Sequence, residues 1–222
     1  MVHLGEIFPN FTAKSTIGNI VFHDWLKDSW GILFSHPADF TPVCTTELAK
    51  LLKLYPEFEK RNTKVIALSC DSLDSHHKWS NDIKVYGGYS GNEIHNLPYP
   101  IIADEDRELA TELEMIDPDE KDSLGIPVTA RAVFIVDSNK KLRLSILYPA
   151  TTGRNFDEIL RVLDSLQLCD KHKVATPVNW MPGEDVMVQP TVSEDEVKTL
   201  FPSLTVVALP SGKEYIRKTP QP

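Results

Sequence analysis

Short apolar runs alternate with amphipathic segments through the first two thirds of the chain, and this alternation limits the possible folds more than any other feature of the sequence. The runs at Trp30–Ser35, Lys64–Ser69 and Arg131–Asp137 have the length and the composition of buried strands. Apolar side chains at residues 142–146 then alternate with other residues, as in a strand with one buried face. The sequence therefore predicts a β-sheet whose strands are joined partly by helices.

Helical periodicity occupies segments between and after these runs. From Thr45, apolar side chains recur on one helical face, and Pro56 is expected to kink or interrupt this helix. A second helix is predicted over residues 74–86, where we expect the neighbouring His76 and His77 to lie on a solvated face. Adjacent helical residues point about 100° apart, so these two imidazoles do not suit one shared metal ion. Strands and helices in this order predict an α/β fold around a central sheet.

The composition of the chain changes after about residue 168. Seven of the 16 prolines lie between Pro177 and Pro222, and only short periodic runs occur there. Proline-rich shifts of this kind accompany domain boundaries. We therefore predict two domains, at residues 1–168 and at residues 169–222, of which the second is small and irregular.

The charge of the chain restricts its partners. Its 222 residues include 23 Lys and Arg against 32 Asp and Glu, a formal net charge of −9, which argues against general affinity for nucleic acid or for an anionic membrane. No stretch approaches 18 consecutive apolar residues, and no basic segment followed by an apolar run opens the chain. Neither stable membrane insertion nor a secretory signal is therefore predicted, and the expected location is the cytoplasm.

Cys44 stands out among the three cysteines of the chain, which are too irregularly spaced for a disulfide framework. No Cys/His cluster has the spacing of zinc ligands, so no metal is expected. Cys44 falls between a predicted strand and the following helix. A thiol in the first helical turn faces unsatisfied N–H groups and the positive end of the helix dipole, which favour the thiolate. A buried structural cysteine is the commoner fate of a lone thiol, but this placement favours a reactive one.

The residues around Cys44 restrict its chemistry. Three residues later stands Glu47 and not a second cysteine, which excludes a dithiol exchange site. A cysteine hydrolase would need a histidine as base, and the seven histidines leave that alternative open. Reaction with a peroxide needs only a thiolate, a cation that holds the charge of the departing oxygen, and a group that orients the substrate.

The segment Pro37–Cys44 has the pattern Pro-x-x-x-Thr-x-x-Cys and resembles the active-site motif of the peroxiredoxins. Two further stretches, Pro127–Arg131 and Tyr148–Phe156, are similar to other diagnostic segments of that family. The resemblance covers nearly the whole chain and indicates the one-cysteine, peroxiredoxin-6-like subfamily. It implies a thioredoxin-like fold with a central mixed sheet flanked by helices. It also implies a homodimer and a small C-terminal α+β domain that contributes to dimerisation.

The resemblance implies roles for single residues, and their chemistry suits those roles. Cys44 would be the peroxidatic nucleophile that attacks a peroxide oxygen and becomes a sulfenic acid. Thr41 would hydrogen-bond the substrate and the thiolate, and Pro37 would shield the sulfur from water. Arg131 would stabilise the thiolate and the charge of the departing oxygen. The predicted activity is reduction of hydrogen peroxide and of organic hydroperoxides, phospholipid hydroperoxides among them, in antioxidant defence and redox homeostasis.

Three further side chains are expected to support this site. Glu47 and Arg154 would form a polar network that holds Arg131 in place. A glutamate near a helix N-terminus also interacts favourably with the dipole without any such network, and this alternative stays open. His36 would line the pocket, either by packing alone or with a part in the chemistry.

The second half of such a reaction requires another thiol. In two-cysteine relatives a Cys-Pro pair supplies it, but this chain has Thr176 before Pro177. Cys70 closes a predicted strand and Cys169 follows an apolar helix, so both are interpreted as structural. The resemblance therefore implies no bound cofactor and an external reductant, such as glutathione or ascorbate, with a glutathione transferase as a candidate partner.

Two other functions compete with the peroxidase. Oxidation of Cys44 could change the oligomeric state or the choice of partner rather than clear peroxide, as in a redox sensor or a chaperone-like binding protein. The subfamily is also associated with a calcium-independent phospholipase A2 activity, for which Ser29, His23 and Asp137 are the candidate residues. Lys27 replaces the first glycine of the expected Gly-x-Ser-x-Gly elbow, so a surface serine is the favoured interpretation of Ser29.

Overall fold

Residues 2–89 and 96–222 are described by the computed structural model. The chain divides into two compact units, Met1–Phe156 and Asp157–Pro222. This division lies at the start of the last long helix, whereas the composition placed a boundary near the end of that helix, at residue 168. The proline-rich part of the sequence begins only after this helix. The change in composition therefore marks the end of the helix, and not the boundary between the two compact units.

The first unit is built on a seven-stranded sheet in the described part of the chain. Its strands are β1 (Thr12–Ser15), β2 (Gly18–Val21), β3 (Trp30–Ser35), β4 (Thr63–Ser69), β5 (Ile101–Ala103), β8 (Arg131–Val136) and β9 (Leu142–Tyr148), and a separate hairpin is formed by β6 (Ile116–Lys121) and β7 (Pro127–Thr129). The order in the sheet is β2-β1-β5-β4-β3-β8-β9. β3 pairs in parallel with β4 and antiparallel with β8, so the sheet is mixed.

Burial explains why these sequences form strands. β3 and β8 are buried along their whole length, as expected of continuous apolar runs in the centre of a sheet that is covered on both faces. β9 lies at the edge and exposes alternate side chains. The four strands that the sequence predicts are adjacent in the sheet, in the order β4-β3-β8-β9, which ends at one edge.

The helices of the first unit include the connections that create the candidate site. They are α1 (Phe22–Leu26), α2 (Pro42–Lys60), α3 (Leu73–Tyr86) and α4 (Glu108–Glu112). α2 joins β3 to β4 and α3 joins β4 to β5, and both pairs of strands are parallel. A helix in such a crossover begins beyond the carboxyl end of the preceding strand, so the N-termini of α2 and α3 lie at the same edge of the sheet.

Helix α2 differs from its prediction at two places. It begins at Pro42 and not at Thr45, which places Cys44 inside its first turn. The expected interruption at Pro56 was wrong, because the helix continues to Lys60. A proline inside a helix removes one hydrogen-bond donor, but buried apolar side chains on both sides of it stabilise the helix. These are Leu48, Ala49, Leu51, Leu52 and Phe58.

The second unit has its own small sheet and its own core. Its elements are α5 (Phe156–Lys171), β10 (Val174–Ala175), β11 (Val186–Val188), α6 (Glu194–Leu200), β12 (Thr205–Val206) and β13 (Arg217–Thr219). The strands are antiparallel, in the order β10-β11-β13-β12. Trp180 is 1% exposed within an apolar cluster that includes Val174 and Val186. Ser193 and Glu196 form a capping box at the start of α6.

The predicted fold class is confirmed: a mixed sheet flanked by helices, followed by a small C-terminal α+β unit. Among the described residues, no helix combines the length and the apolar composition that a membrane span requires.

Candidate active site

Cys44 is the third residue of α2, and its side chain is fully buried. Pro42 occupies the first helical position, where a missing N–H costs no hydrogen bond and the fixed φ suits the helix. The thiol therefore lies in the first turn, where backbone N–H groups are unsatisfied. Arg131, the first residue of β8, approaches from the neighbouring strand, with its Nη1 3.3 Å from the Cys44 Sγ. The predicted nucleophile is thus held against a guanidinium.

Arg131 is held in place through both sides of its planar guanidinium. Its Nε and Nη2 donate to the carbonyl of Ala150 at 3.0 and 2.6 Å. Its Nη1, besides contacting sulfur, donates to the Glu47 carboxylate at 2.8 Å. Arg131 and Glu47 are only 2% and 4% exposed. These bonds leave the guanidinium little freedom to move away from the thiol.

Arg154 completes the polar network. It donates to Glu47 from its backbone N–H (2.7 Å), its Nε (3.0 Å) and its Nη2 (2.7 Å). Its Nη1 donates to the carbonyls of Ser35 and Ala132 at 2.9 and 2.8 Å. Ser35 ends β3 and Ala132 lies in β8, so Arg154 joins the two strands that carry the site. The network expected around Glu47 and Arg154 is present.

The charges of this network lie beside the Cys44 sulfur. Burial alone raises the pKa of Glu47, but the charges of Arg154 and Arg131 hold it below its ordinary value. Glu47 is therefore a carboxylate, and the buried groups amount to two positive charges and one negative charge. An unbalanced buried charge is costly. A negative charge on the Cys44 sulfur would make this cluster neutral.

Thr41 and Pro37 lie in the loop that leads into α2. The Thr41 hydroxyl donates to the carbonyl of Ala38 at 2.9 Å. Its proton is therefore engaged, and toward a substrate Thr41 offers an oxygen that accepts a hydrogen bond. This contact suits a peroxide O–H better than it suits a thiolate. Pro37 is buried, as a residue that shields the sulfur from water would be.

His36 belongs to a buried network that sequence reasoning missed. Its Nε2 lies 2.9 Å from Asp39 Oδ1, and His76 Nδ1 lies 2.7 Å from Asp39 Oδ2. The expectation of a solvated His76 was wrong, because His76 is 0% exposed, while the adjacent His77 is exposed. Its spacing could have shown this, since positions 76, 79 and 83 share one helical face, and that face carries the apolar side chains of Trp79 and Ile83, which are buried.

The same network contains side chains that could in principle ligate a cation. His36, Asp39 and Asp71 place metal-ligating atoms within 4.8 Å of one another. The His36 nitrogen and the Asp39 oxygen are bonded to each other, however, and Asp71 accepts from the Ser69 hydroxyl at 2.7 Å and from the Asp39 N–H at 2.9 Å. A cation would have to displace these bonds. We therefore interpret the cluster as a hydrogen-bond network.

The other two cysteines form no disulfide with any described residue. Cys70 directly follows β4 and is partly exposed. Burial raises the pKa of Cys70 to about 11, so it is a neutral thiol at physiological pH. Cys169 lies within α5, which continues to Lys171, and not after a helix as expected; it is also partly exposed.

Ser29, His23 and Asp137, the residues expected for lipid hydrolysis, form no hydrogen-bonded triad in the described structure. The Ser29 hydroxyl donates to Asn62 at 3.3 Å, and His23 Nε2 pairs with the carbonyl of Phe8 at 2.8 Å. Asp137 accepts from two backbone N–H groups of the following turn, both at 2.9 Å, and from an arginine at 3.1 Å. Each side chain is thus engaged with another group.

Lys27 stands at the position of the first glycine of the elbow motif, and its backbone has a conformation that favours glycine. Its φ is 53° and its ψ is −132°. An L side chain in this conformation is strained, whereas glycine adopts it readily.

The site thus consists of a buried cysteine at a helix N-terminus and an arginine that donates a hydrogen bond to its sulfur, both at one edge of a thioredoxin-like sheet. Such a site is typical of a thiol-based oxidoreductase. Residues 4–145 match the AhpC/TSA family, and residues 165–203 match the C-terminal domain of 1-Cys peroxiredoxin. The chain is 64% identical over 220 residues to peroxiredoxin-6 of Rattus norvegicus, which covers 99% of this chain and 97% of that protein.

Two solved structures are similar throughout. A cysteine-to-serine mutant of the peroxiredoxin 6 of Arenicola marina has a TM-score of 0.96 and 61% identity, with 100% of this chain and 99% of that chain covered. A yeast mitochondrial 1-Cys peroxiredoxin has a TM-score of 0.86 and 44% identity, with 99% and 100% covered. The chain belongs to the AhpC/TSA family and, within it, to the 1-Cys peroxiredoxins, which are thiol-dependent peroxidases.

Proposed function

We propose that this peroxidase reduces hydrogen peroxide and organic hydroperoxides, including those of phospholipids, through a sulfenic acid at Cys44. One observation carries this assignment: Arg131 donates to the Cys44 sulfur at 3.3 Å, inside a buried cluster whose charges balance only when the sulfur is ionised. A thiolate and a fixed guanidinium are what attack on a peroxide requires.

In the first step the Cys44 thiolate attacks one oxygen of the peroxide. A sulfur–oxygen bond forms, the O–O bond breaks, and the departing oxygen leaves with the electron pair, takes up a proton and becomes water or an alcohol. Arg131 stabilises the charge of that departing oxygen. Thr41 accepts a hydrogen bond from the peroxide O–H, since its own proton is engaged by Ala38. Pro37 limits access of water to the sulfur.

Glu47 and Arg154 act in this scheme as positioning residues. Glu47 accepts from both Arg131 and Arg154, and Arg154 is anchored on backbone carbonyls of β3 and β8. Neither needs to touch the peroxide. Their bonds hold the Arg131 fork in the orientation that faces the sulfur.

In the second step two external thiols reduce the sulfenic acid. The first displaces water and forms a mixed disulfide with Cys44, and the second attacks that disulfide and releases the Cys44 thiol. We propose glutathione as this reductant. The neutral state of Cys70 supports an external source, as does the yeast relative, which is described as resolved through glutathione and thioredoxin systems. A thiol reductant also supports a cytoplasmic location, because that compartment is reducing.

A homodimer is part of the proposal. β9 forms an edge of the sheet, and its Leu147 is 61% exposed. An edge strand offers unpaired backbone groups to a second copy of the chain. Sedimentation equilibrium tests this: a mass near twice 25.0 kDa is expected, and a single-chain mass would contradict it.

Cys44→Ser tests the catalytic assignment. Reduced wild-type protein should consume one equivalent of hydrogen peroxide rapidly in a single turnover, and dimedone with intact-mass analysis should trap one sulfenic acid. Cys44→Ser should lose both signals. The matched controls Cys70→Ser and Cys169→Ser should keep them. Slow oxidation spread over all three cysteines would overturn the assignment.

Turnover separates the enzyme from a redox sensor. With glutathione in excess, the wild type should consume peroxide for many cycles and release glutathione disulfide. A protein that only senses peroxide would react once per chain and then stop.

A further inference from the structure

Asp39 is the centre of a buried network that the scheme above does not use. It lies in the loop between β3 and α2, two residues after Pro37 and two before Thr41. Its Oδ2 accepts from the Ser75 hydroxyl at 2.8 Å, in addition to its contacts with the two histidines. Its backbone N–H donates to Asp71, which follows β4. The active-site loop is therefore tied to α3 and to the end of β4 through one side chain and its own backbone.

The partners of His76 determine its protonation state. Its Nε2 lies 3.1 Å from the carbonyl of Ile102, and its Nδ1 lies 2.7 Å from Asp39 Oδ2. A carbonyl and a carboxylate can only accept hydrogen bonds, so both ring nitrogens carry protons. Burial alone raises the pKa of Asp39, but the hydrogen bonds and charges of His36 and His76 hold it well below its ordinary value. The pair is therefore a buried imidazolium against a carboxylate.

The surroundings of His36 favour a neutral imidazole, in contrast to those of His76. Its Nε2 donates to Asp39 Oδ1 at 2.9 Å. Its Nδ1 is buried and has no hydrogen-bond partner among the described residues. A proton at Nδ1 would thus be a charged donor without an acceptor among these residues, on a ring whose centroid lies 6.3 Å from that of His76. Such a proton is costly, so Nδ1 stays a bare lone pair.

The charges around His36 agree with this state. Burial and the positive charge of His76 lower the pKa of His36, and they outweigh Asp39 and Asp71, which raise it. These groups come from the loop itself, from α3 and from the end of β4. The other ring packed against His36 is Trp79, which carries no charge, at a centroid distance of 5.1 Å.

We infer that His76 is a positioning residue of the peroxidase: as a buried imidazolium it orients Asp39, and through Asp39 it keeps His36 in the neutral, Nε2-protonated form. The inference rests on the proposed function for its effect on catalysis. A proton that arrives at His36 Nδ1 finds no acceptor in the described part of the chain, so the loop has to rearrange around it. Because this loop carries Pro37 and Thr41, protonation of His36 should lower the rate of sulfenic acid formation.

His76→Gln removes the charge but keeps a donor toward Asp39, and the exposed neighbour gives the matched control His77→Gln. The second-order rate constant of Cys44 with hydrogen peroxide is measured against pH by stopped flow. Without the His76 cation, Asp39 should draw a proton onto His36 at higher pH. The acidic limb of the His76→Gln profile should move up by about one pH unit or more. The limb of His77→Gln should coincide with that of the wild type.

Imidazole ¹⁵N NMR of the wild-type protein tests the protonation states independently of activity. At pH 7.5 one histidine should have two protonated nitrogens, and its signals should be missing in His76→Gln. A second should be a neutral Nε2–H tautomer. A neutral His76 would overturn the inference, even if His76→Gln failed to fold, and so would an unchanged acidic limb. Failure of the wild type to form a sulfenic acid would instead overturn the proposed function, while the NMR result for His76 would stand.

Discussion

Cys44 and Cys70 follow neighbouring parallel strands of one sheet, yet the structure places them in opposite electrostatic surroundings. Cys44 is 0% exposed and Cys70 is partly exposed. Exposure alone would select Cys70 as the reactive thiol. Cys44, however, receives a hydrogen bond from a guanidinium, whereas the pKa of Cys70 is raised to about 11, chiefly by burial. The charge beside a thiol, and not its exposure, decides whether it becomes a nucleophile.

The two sites differ in the sign of their local charge. Around Cys44 two arginines face one glutamate. Around Cys70 the order is reversed, because one arginine, Arg107, is opposed by Asp104 and Asp71. An extra positive charge favours a thiolate, and an extra negative charge disfavours it. Peroxide, which is small and neutral, can reach a buried sulfur that a larger reagent cannot.

The largest change is expected when the carboxylate of the Cys44 site is removed. Glu47→Gln leaves two buried guanidiniums without a counter-charge, so the free energy of unfolding should fall by about 3–5 kcal/mol. Denaturant unfolding measures this loss. Glu57→Gln, a partly exposed control on the same helix, should change stability far less.

The pH dependence of the same variant gives a second readout. The pKa of Glu47 is lower in the folded chain than in the unfolded one, despite burial, because of Arg154 and Arg131. Its contribution is therefore complete above the unfolded value of about 4.3 and is lost as the pH falls through the folded value. Below about pH 4.3 the wild type should lose stability more steeply than Glu47→Gln. Parallel curves would show that Glu47 does not carry the charge assigned to it.

Removal of the Arg131 guanidinium should make Cys44 a poor nucleophile, as Cys70 is. Arg131→Met should lower the rate constant for reaction with hydrogen peroxide by about 10²–10³-fold, because it removes the donor that faces the sulfur and the departing oxygen. Stopped-flow fluorescence measures this rate. Arg143→Met, on the adjacent strand β9, is the control and should leave it nearly unchanged. A loss below tenfold for Arg131→Met would mean that the helix N-terminus alone activates the thiol.

The smallest effect is expected at Cys70. Cys70→Ser should keep the peroxide rate within about twofold, since a neutral thiol does not contribute to the first step. In a Cys44→Ser background, labelling of Cys70 by methyl methanethiosulfonate should accelerate with pH up to about pH 11. Mass spectrometry of the labelled peptide follows this reaction. A plateau near neutral pH would remove the contrast between the two cysteines.

The sequence predicted the strands that are marked by a pattern of neighbouring apolar residues, and it missed a strand that forms only through pairing with another strand. β3, β4, β8 and β9 lie at their predicted positions, because continuous or alternating apolar residues mark them. The strand β6 was not predicted, since Ile116–Lys121 contains a proline and four charged residues and is typical of a loop. Its pairing with β7, and not its composition, makes it a strand.

Buried polar groups were harder to predict than buried apolar ones. Glu47 and Arg154 were expected near Arg131 on the strength of a family resemblance alone. Asp39 and His76 received no role, because a histidine and an aspartate 37 residues apart give no sign in the sequence that they meet. Pro56 was expected to kink or interrupt α2, and the interruption does not occur, because packing of the helix outweighs one lost hydrogen bond.

The sequence by itself determined that Cys44 stands at the start of a helix after a buried strand, because strand and helix signals depend on neighbouring residues. Only the tertiary structure decided which charges surround that thiol. Arg131 is 87 residues away from Cys44, and Arg154 is 107 residues away from Glu47. These groups meet because β8 pairs with β3 in one register and because burial strengthens each charge pair. Local propensity thus placed the nucleophile, and long-range strand pairing supplied the charges that activate it.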